Sequence, residues 1–343
     1  MESSTRPPTL HDAMARRLYR RAEAGGQIKL PAVPGMLDEY VKMCSTVFGG
    51  LGSPLDAEQL EQLRVNLATE LATAFEASPR SSIIVSYEAP VGQVLNYLIR
   101  GQWDTIEAAY ENWLATRQPP LFGTEPDARV WALAGEAVDP RACRVLDIGA
   151  GTGRNTLALA RRGHPVDAVE MTPAFAGDIR AEAQRESLEV RVIVGDVYAA
   201  RDALASDYSL ILLSEVTSDF RTAGQLRDIF ELAAQRLAPG GQLVFNAFLT
   251  RDGYVDDGAG HQLSQQCYST FFTRNEMADA AAGLGLELVS DESVHDYEKA
   301  HLPDGAWPPT SWYAEWTRGQ DVFDLDPETC PISMRWLVYR RSG

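Results

Sequence analysis

Three acids stand at the ends of three short apolar runs. Asp147 lies inside Val145-Leu146-Asp147-Ile148, Glu170 closes Val166-Asp167-Ala168-Val169-Glu170, and Asp196 follows Val192-Ile193-Val194-Gly195. After the first run come Gly149, Gly151 and Gly153, then NTLALARRG, a helical pattern with Leu157 and Ala160 on one face. A strand, a glycine turn and a helix start present backbone N–H groups and a helix N-terminus to a nucleotide-like ligand. Glycine suits such a turn because a ligand presses on the backbone and φ can be positive. Glu170, 23 positions after Asp147, is placed to accept two hydrogen bonds from a ribose diol. The dinucleotide pattern G-x-G-x-x-G requires a third glycine at 154, where this chain has Arg. An acid two residues ahead of the first glycine suits a ligand carrying an amino group better than a pyrophosphate.

These residues resemble motif I of the class I S-adenosylmethionine-dependent methyltransferases, whose pattern is close to V-L-D-[IVL]-G-x-G-x-G. The resemblance covers residues 126–343 and includes the Leu237-Ala238-Pro239-Gly240-Gly241 exit between a helix and the next strand. It implies an α/β fold: a doubly wound, seven-stranded Rossmann-like sheet with the last strand antiparallel. It also implies S-adenosylmethionine as cofactor, held by Asp147, Gly149, Gly151, Gly153, Glu170, Met171, Asp196, Val197 and Ser214. Methyl transfer is an in-line displacement in which an enzyme orients the partners and excludes water. A base is needed only when the nucleophile carries a proton that it does not shed by itself. After the fourth strand the chain reads Ser214-Glu215-Val216-Thr217. The [ND]-P-P-[YF] tetrapeptide of the N6-adenine and glutamine methylases is absent, as is the Pro-Cys nucleophile of the 5-methylcytosine enzymes.

Two stretches exceed a minimal domain of this kind and are expected to wall a substrate pocket: residues 250–274 and the insert 299–331. Trp307, Trp312, Tyr313 and Trp316 crowd the insert, a density that suits a flat or apolar ligand or, equally, a loop packed on the sheet. His261 is the first candidate base and Glu215 the second. Tyr254, Tyr268, Trp312 and Trp316 are candidate substrate contacts, His301 is a weaker candidate, and His164 in a Gly-His-Pro turn is read as structural. The expected reaction is methylation of an oxygen or nitrogen nucleophile on a small molecule. A peptide- or protein-tailoring methyltransferase and a non-catalytic cofactor-binding protein are the rival readings.

At 343 residues the chain suits two domains, and its 45% hydrophobic and 23% charged residues are ordinary for a globular protein. A net charge of −17 argues against a phosphate-backbone partner. The Arg16-Arg17 and Arg20-Arg21 pairs read as a solvated helix face. Cys44, Cys143, Cys267 and Cys330 lack metal-type spacing, so reduced thiols, no metal site and a cytoplasmic location are expected. No apolar run is long enough for a membrane span. Residues 1–125 are expected to be a mainly helical cap. One helix should run from residue 10 to Gly25-Gly26, and an amphipathic one should open at Ser53-Pro54 and place Leu60, Leu63, Leu67, Leu71 and Phe75 on one face. Residues 82–87 read as extended, and two further helices are expected over 91–100 and 104–117, the latter with Tyr110 and Trp113.

Overall fold

The apolar runs that carry the acids become neighbouring strands of one sheet. The computed structural model describes residues 9–19, 23–90, 95–103, 121–256 and 258–343, and it divides into two compact units, Met1–Thr105 and Ile106–Gly343. That division falls ahead of the boundary expected at residue 125.

In the first unit, α1 (Leu10–Tyr19) begins at Thr9, whose Oγ1 accepts a hydrogen bond from the Asp12 amide. The expected continuation of this helix to Gly25-Gly26 is not what forms. Glu23–Pro31 is a strand, β1, paired antiparallel to β2 (Ser82–Pro90), which pairs in turn with β3 (Asn96–Gln102). The reason is a close cross-strand fit: Gly26 sits opposite Tyr87, and a Cβ at 26 would lie 2.5 Å from the tyrosine hydroxyl. The helix expected over 91–100 is corrected in the same way, because residues 96–100 pair with β2. Arg20, Arg21 and the 104–117 segment with Tyr110 and Trp113 lie outside the described residues. Two helices, α2 (Leu37–Gly50) and α3 (Ala57–Ala77), bury Phe48, Leu63, Leu67 and Leu71 with Ile83 and Val85 of β2. The start of α3 is set by Asp56, not by Ser53. Asp56 Oδ1 accepts from the Gln59 amide at 2.9 Å while Gln59 Oε1 accepts from the Asp56 amide at 3.0 Å, a reciprocal capping box. The first unit is therefore mixed α and β, not a helical bundle.

The second unit holds the larger sheet. Its strands are β4 (Val145–Ile148), β5 (Val166–Glu170), β6 (Val190–Val194), β7 (Tyr208–Leu213), β8 (Leu237–Thr250), β9 (Phe271–Phe272), β10 (Leu286–Ser293) and β11 (Ile332–Arg341). The order is β10-β11-β8-β7-β4-β5-β6, with the short β9 beside β8. The central pairs are parallel, and β11 is antiparallel to both neighbours. Seven strands thus follow one path with the antiparallel last strand expected, and β9 is an addition. Every residue of β4 and β5 is buried, as expected for strands covered on both faces. Alternate residues feed two layers: Leu146, Ile211 and Phe245 on one side, Val145, Leu212 and Phe248 on the other.

Helices α4 (Ala128–Ala134), α5 (Arg154–Arg161), α6 (Pro173–Glu186), α7 (Ala223–Arg236), α8 (Ala259–Gln266), α9 (Arg274–Ala281) and α10 (Val294–His301) flank the sheet. The insert adds two short ones, α11 (Tyr313–Trp316) and α12 (Gln320–Phe323). β8 starts directly after α7 and runs through the glycine pair; Gly240 takes φ +78°, and a Cβ at 241 would lie 2.8 Å from the Tyr208 carbonyl. All four cysteines are unpaired. Among the described residues, no helix is long and apolar enough to cross a membrane, and no group of three or more His, Cys, Asp or Glu side chains has a metal-binding arrangement.

Candidate functional site

A cavity of about 280 Å³ opens at the carboxyl ends of β4, β5, β6 and β7, where parallel α/β sheets bind ligands. The glycine turn forms one wall. Gly149 takes φ +71°, and a Cβ there would lie 2.4 Å from Val216 Cγ2. At Gly151 a Cβ would instead point into the space before the Phe122 ring, 3.7 Å away. That space is the cradle a side chain would fill. Glu170, only 6% exposed, accepts the Gly151 amide at one oxygen and the Thr172 amide at the other, both at 2.7 Å. These bonds fix the carboxylate at the cavity wall and leave each oxygen a free lone pair, as recognition of a diol requires. Asp196 also lines the cavity and accepts the Tyr198 amide at 2.6 Å. Asp147 is 2% exposed and accepts from Thr156 Oγ1 at 2.5 Å. Burial pushes its carboxyl up to about 7 against the pull of that hydrogen bond.

Beyond β7 lies a polar cluster, of which Arg154, Asn155, Ser214 and Glu215 reach the cavity lining. Arg154, the residue that breaks the dinucleotide spacing, donates to Asp127 Oδ1 at 2.6 Å and to Glu215 Oε1 at 3.2 Å. Asp127, 1% exposed, also accepts from Asn155 Nδ2 at 2.8 Å and from Ser214 Oγ at 2.6 Å. Glu215 follows β7 in the left-handed region, φ +61°. A non-glycine residue there is strained, and its amide is held by Asn246 Oδ1 of β8 at 2.7 Å. Burial raises the Glu215 carboxyl to about 7, offset in part by Arg154 and reinforced by Asp127 and Glu298. Glu298 of α10 is likewise raised to about 7 by burial. It accepts from the Ala128 amide and from Trp336 Nε1. The Tyr313 hydroxyl and Asn246 Nδ2 are buried without hydrogen-bond partners among the described residues. The phenol is held neutral by burial and by the Glu215, Asp127 and Glu298 charges around it.

The cavity brings together Asp147, Gly149, Gly151, Glu170, Met171, Asp196, Val197, Ser214 and Glu215 of the residues picked from sequence. Gly153 caps α5 just behind the turn. Other expected residues fall elsewhere. His261 does not line the cavity; its ring meets Phe271 edge-on, 5.3 Å between centroids. Tyr254 packs on the same Phe271 and on Phe323. Trp316 is 5% exposed, meets Phe248 and donates Nε1 to the Tyr268 carbonyl at 3.0 Å, and Trp312 packs on Trp316. The insert's aromatics thus cover the sheet, and Tyr268 is 42% exposed at φ +56°. His301 stacks on Tyr297, and His164 is buried against the Cys143 carbonyl. Sequence reading passed over Phe122, Asp127, Asn155, Asp219, Asn246 and Glu298. Only Arg154, sitting directly behind the glycine turn, carried a positional signal.

The residues present fit S-adenosylmethionine. The cavity offers a fixed, buried acid for a diol, a second acid after β6, a side-chain-free cradle at Gly151 and the N-terminus of α5, whose cap residue Gly153 has no side chain to bond its amides. A family described as "Methyltransferase domain" matches residues 145–241. Over 111 residues the chain is 37% identical to a protein named Hemagglutinin 1 from Eikenella corrodens, covering 32% of this chain and 36% of that one. The chain therefore spans about a third of the length of this curated relative. A geranyl diphosphate C-methyltransferase from Streptomyces coelicolor A3(2) has a similar structure, with a TM-score of 0.49 at 14% identity, over 69% of this chain and 98% of the other. The [4+2]-cyclase SpnF is similar at TM-score 0.46 and 15% identity, over 68% and 92%. Residues 145–241, which hold the glycine turn, Glu170, Asp196 and Glu215, thus match a methyltransferase domain.

Proposed function

We propose that this protein transfers a methyl group from S-adenosylmethionine to an oxygen or nitrogen of a small molecule, with Glu215 as the general base. One observation carries the reading: the glycine turn with Glu170 and the strained, largely enclosed Glu215 line one cavity of about 280 Å³. When bound, the cofactor supplies an electrophilic methyl on a positively charged sulfur. Glu170 holds the ribose, Asp196 faces the adenine side, and the Gly151 cradle lets the ligand lie against the backbone. Glu215 Oε1 leans on Arg154, while its other oxygen accepts no hydrogen bond among the described residues. That oxygen is available to take the nucleophile's proton. A carboxyl with its midpoint near neutrality is suited to this role, since a base works best close to the working pH. Glu215 is preferred to His261 because it lines the cavity and His261 packs on Phe271. Substrate specificity then belongs to the β7 and β8 ends and not to the tryptophans of the insert.

The test has two steps. Calorimetry should detect S-adenosylmethionine and S-adenosylhomocysteine binding and no NAD binding. Incubation with a mixed metabolite extract should then release S-adenosylhomocysteine and give +14 products by mass spectrometry. A folded protein that binds neither sulfur ligand would remove the assignment.

A further inference from the structure

The charges around the cavity are one-sided. Asp147, Glu170, Asp196, Glu215 and Asp219 line it, against one cation among the described residues, Arg154. Arg154 is already committed to Asp127, Glu215 and the Glu125 carbonyl. Assigning Glu170 and Asp196 to the nucleoside leaves Glu215 and Asp219 on the acceptor side. Behind Glu215 stand two more buried acids, Asp127 and Glu298, each 1% exposed. Beside them is the Tyr313 hydroxyl, 2% exposed and unpartnered, with lone pairs to offer. An anionic acceptor entering here would meet no uncommitted cation among the described residues. A cationic acceptor would meet the charge that the site lacks.

We propose that the methyl acceptor is a protonated amine, admitted by Glu215 and Asp219 and deprotonated by Glu215. This rests on the methyltransferase reading above and narrows it. The ammonium enters as R–NH3+ and gives one proton to the free oxygen of Glu215. The freed nitrogen lone pair forms the N–C bond while the sulfonium C–S bond breaks, and the sulfur keeps the bonding pair as a thioether. The product leaves as R–NH2–CH3+, and the proton on Glu215 passes to solvent, so one proton is released per turnover. Arg154 and Asn246 are positioning residues: the first holds Glu215 Oε1, the second its backbone amide. The proton affinity of Glu215 is set by burial and then by the charges of Arg154, Asp127 and Glu298. Of these only Arg154 favours the anion, so the base regains its proton readily from an ammonium held against it.

The experiment fractionates a metabolite extract on a cation exchanger at neutral pH. Each fraction is incubated with the full-length protein and S-adenosylmethionine, and +14 products are sought. Products should come only from the retained fraction and should themselves be cationic. With the product in hand, Asp219→Asn should raise KM for the parent amine about threefold to tenfold with kcat little changed, the loss of one attractive charge in a partly solvated site. Products that arise from the flow-through, neutral or anionic, would overturn the amine assignment while methyl transfer stands. Failure of every fraction, with the cofactor bound, would remove both readings. An Asp219→Asn protein whose KM is unchanged, while S-adenosylmethionine binding shows it is folded, would remove Asp219 from the proposal.

Discussion

The two walls of the cavity satisfy their polar groups in opposite ways. On the glycine-turn side, Glu170 is met by two backbone amides within twenty residues of chain, and Asp196 by the amide two residues on. On the far side, Arg154 and Glu215 line the cavity and are backed by Asp127, Asn246, Glu298 and Tyr313, residues from six separate places in the chain. Two of their polar atoms have no partner among the described residues, and one backbone is left-handed without glycine. A buried, unpaired polar atom costs on the order of 1–3 kcal/mol. Such atoms persist where function outweighs stability. The comparison teaches that the glycine-turn wall is locally complete without a ligand, while the cluster around Glu215 leaves polar atoms without a partner among the described residues.

The sharpest break would come at Glu215. Glu215→Gln should lower kcat/KM about 10²- to 10⁴-fold and leave the S-adenosylmethionine dissociation constant within about threefold. His261→Gln should change kcat/KM by less than about threefold. Reversal of those two results would return the base to the α8 helix.

On the opposite wall, Glu170→Ala should weaken cofactor binding by roughly 2–4 kcal/mol, the loss of charge-assisted bonds to a diol. Calorimetry on the folded variant checks this, and unchanged affinity would show that the carboxylate serves only the Gly151 and Thr172 amides.

Gly149→Ala joins the two walls, because the added Cβ lands 2.4 Å from Val216, next to Glu215. With φ at +71°, it should cost about 1–3 kcal/mol of stability and should disturb both cofactor affinity and turnover. Chemical denaturation, followed by both assays, separates the two effects.

Stability should also depend on pH in a defined direction. Asp147, Glu215 and Glu298 are raised to about 7 from ordinary values of 3.8, 4.5 and 4.5. The folded chain thus holds more protons than the unfolded one between those values. Stability from these groups is present at the acid end of the window and is lost as pH rises through 7. Melting temperature should fall between about pH 5 and 8, and Glu215→Gln should flatten the fall; a rising Tm in wild type would contradict it. The smallest effect is expected from Tyr313→Phe, which removes an unpartnered hydroxyl. It should raise stability by about 1 kcal/mol while weakening acceptor binding, whereas a purely structural tyrosine would lose stability without a change in KM.

Much of the cofactor wall was legible because its determinants are close in sequence. An apolar run before a glycine turn, followed by acids at the ends of the next two runs, specifies strand, turn and helix from local sterics alone. The strands at 166–170 and 190–194 form where their alternation and length placed them. Reading failed where a neighbour in space overrode the local pattern. Gly25-Gly26 looks like a helix stop, but Tyr87 on another strand needs the room that two missing side chains leave. The insert's tryptophans look like a ligand wall, but Phe248 and the Tyr268 carbonyl take Trp316 into the core.

By itself the sequence determined the α/β class, the glycine turn, the three acids and the excess of negative charge, since each depends on residue type and short spacing. Tertiary structure decided the polar cluster around Glu215. Asp127, Arg154, Glu215, Asn246, Glu298 and Tyr313 are ordinary residues in their own segments. They come together only when β7, β8, α10 and α11 pack in layers, and that packing places Asp127 and Glu215 on one guanidinium, with Glu298 close to Glu215, where water screens them little.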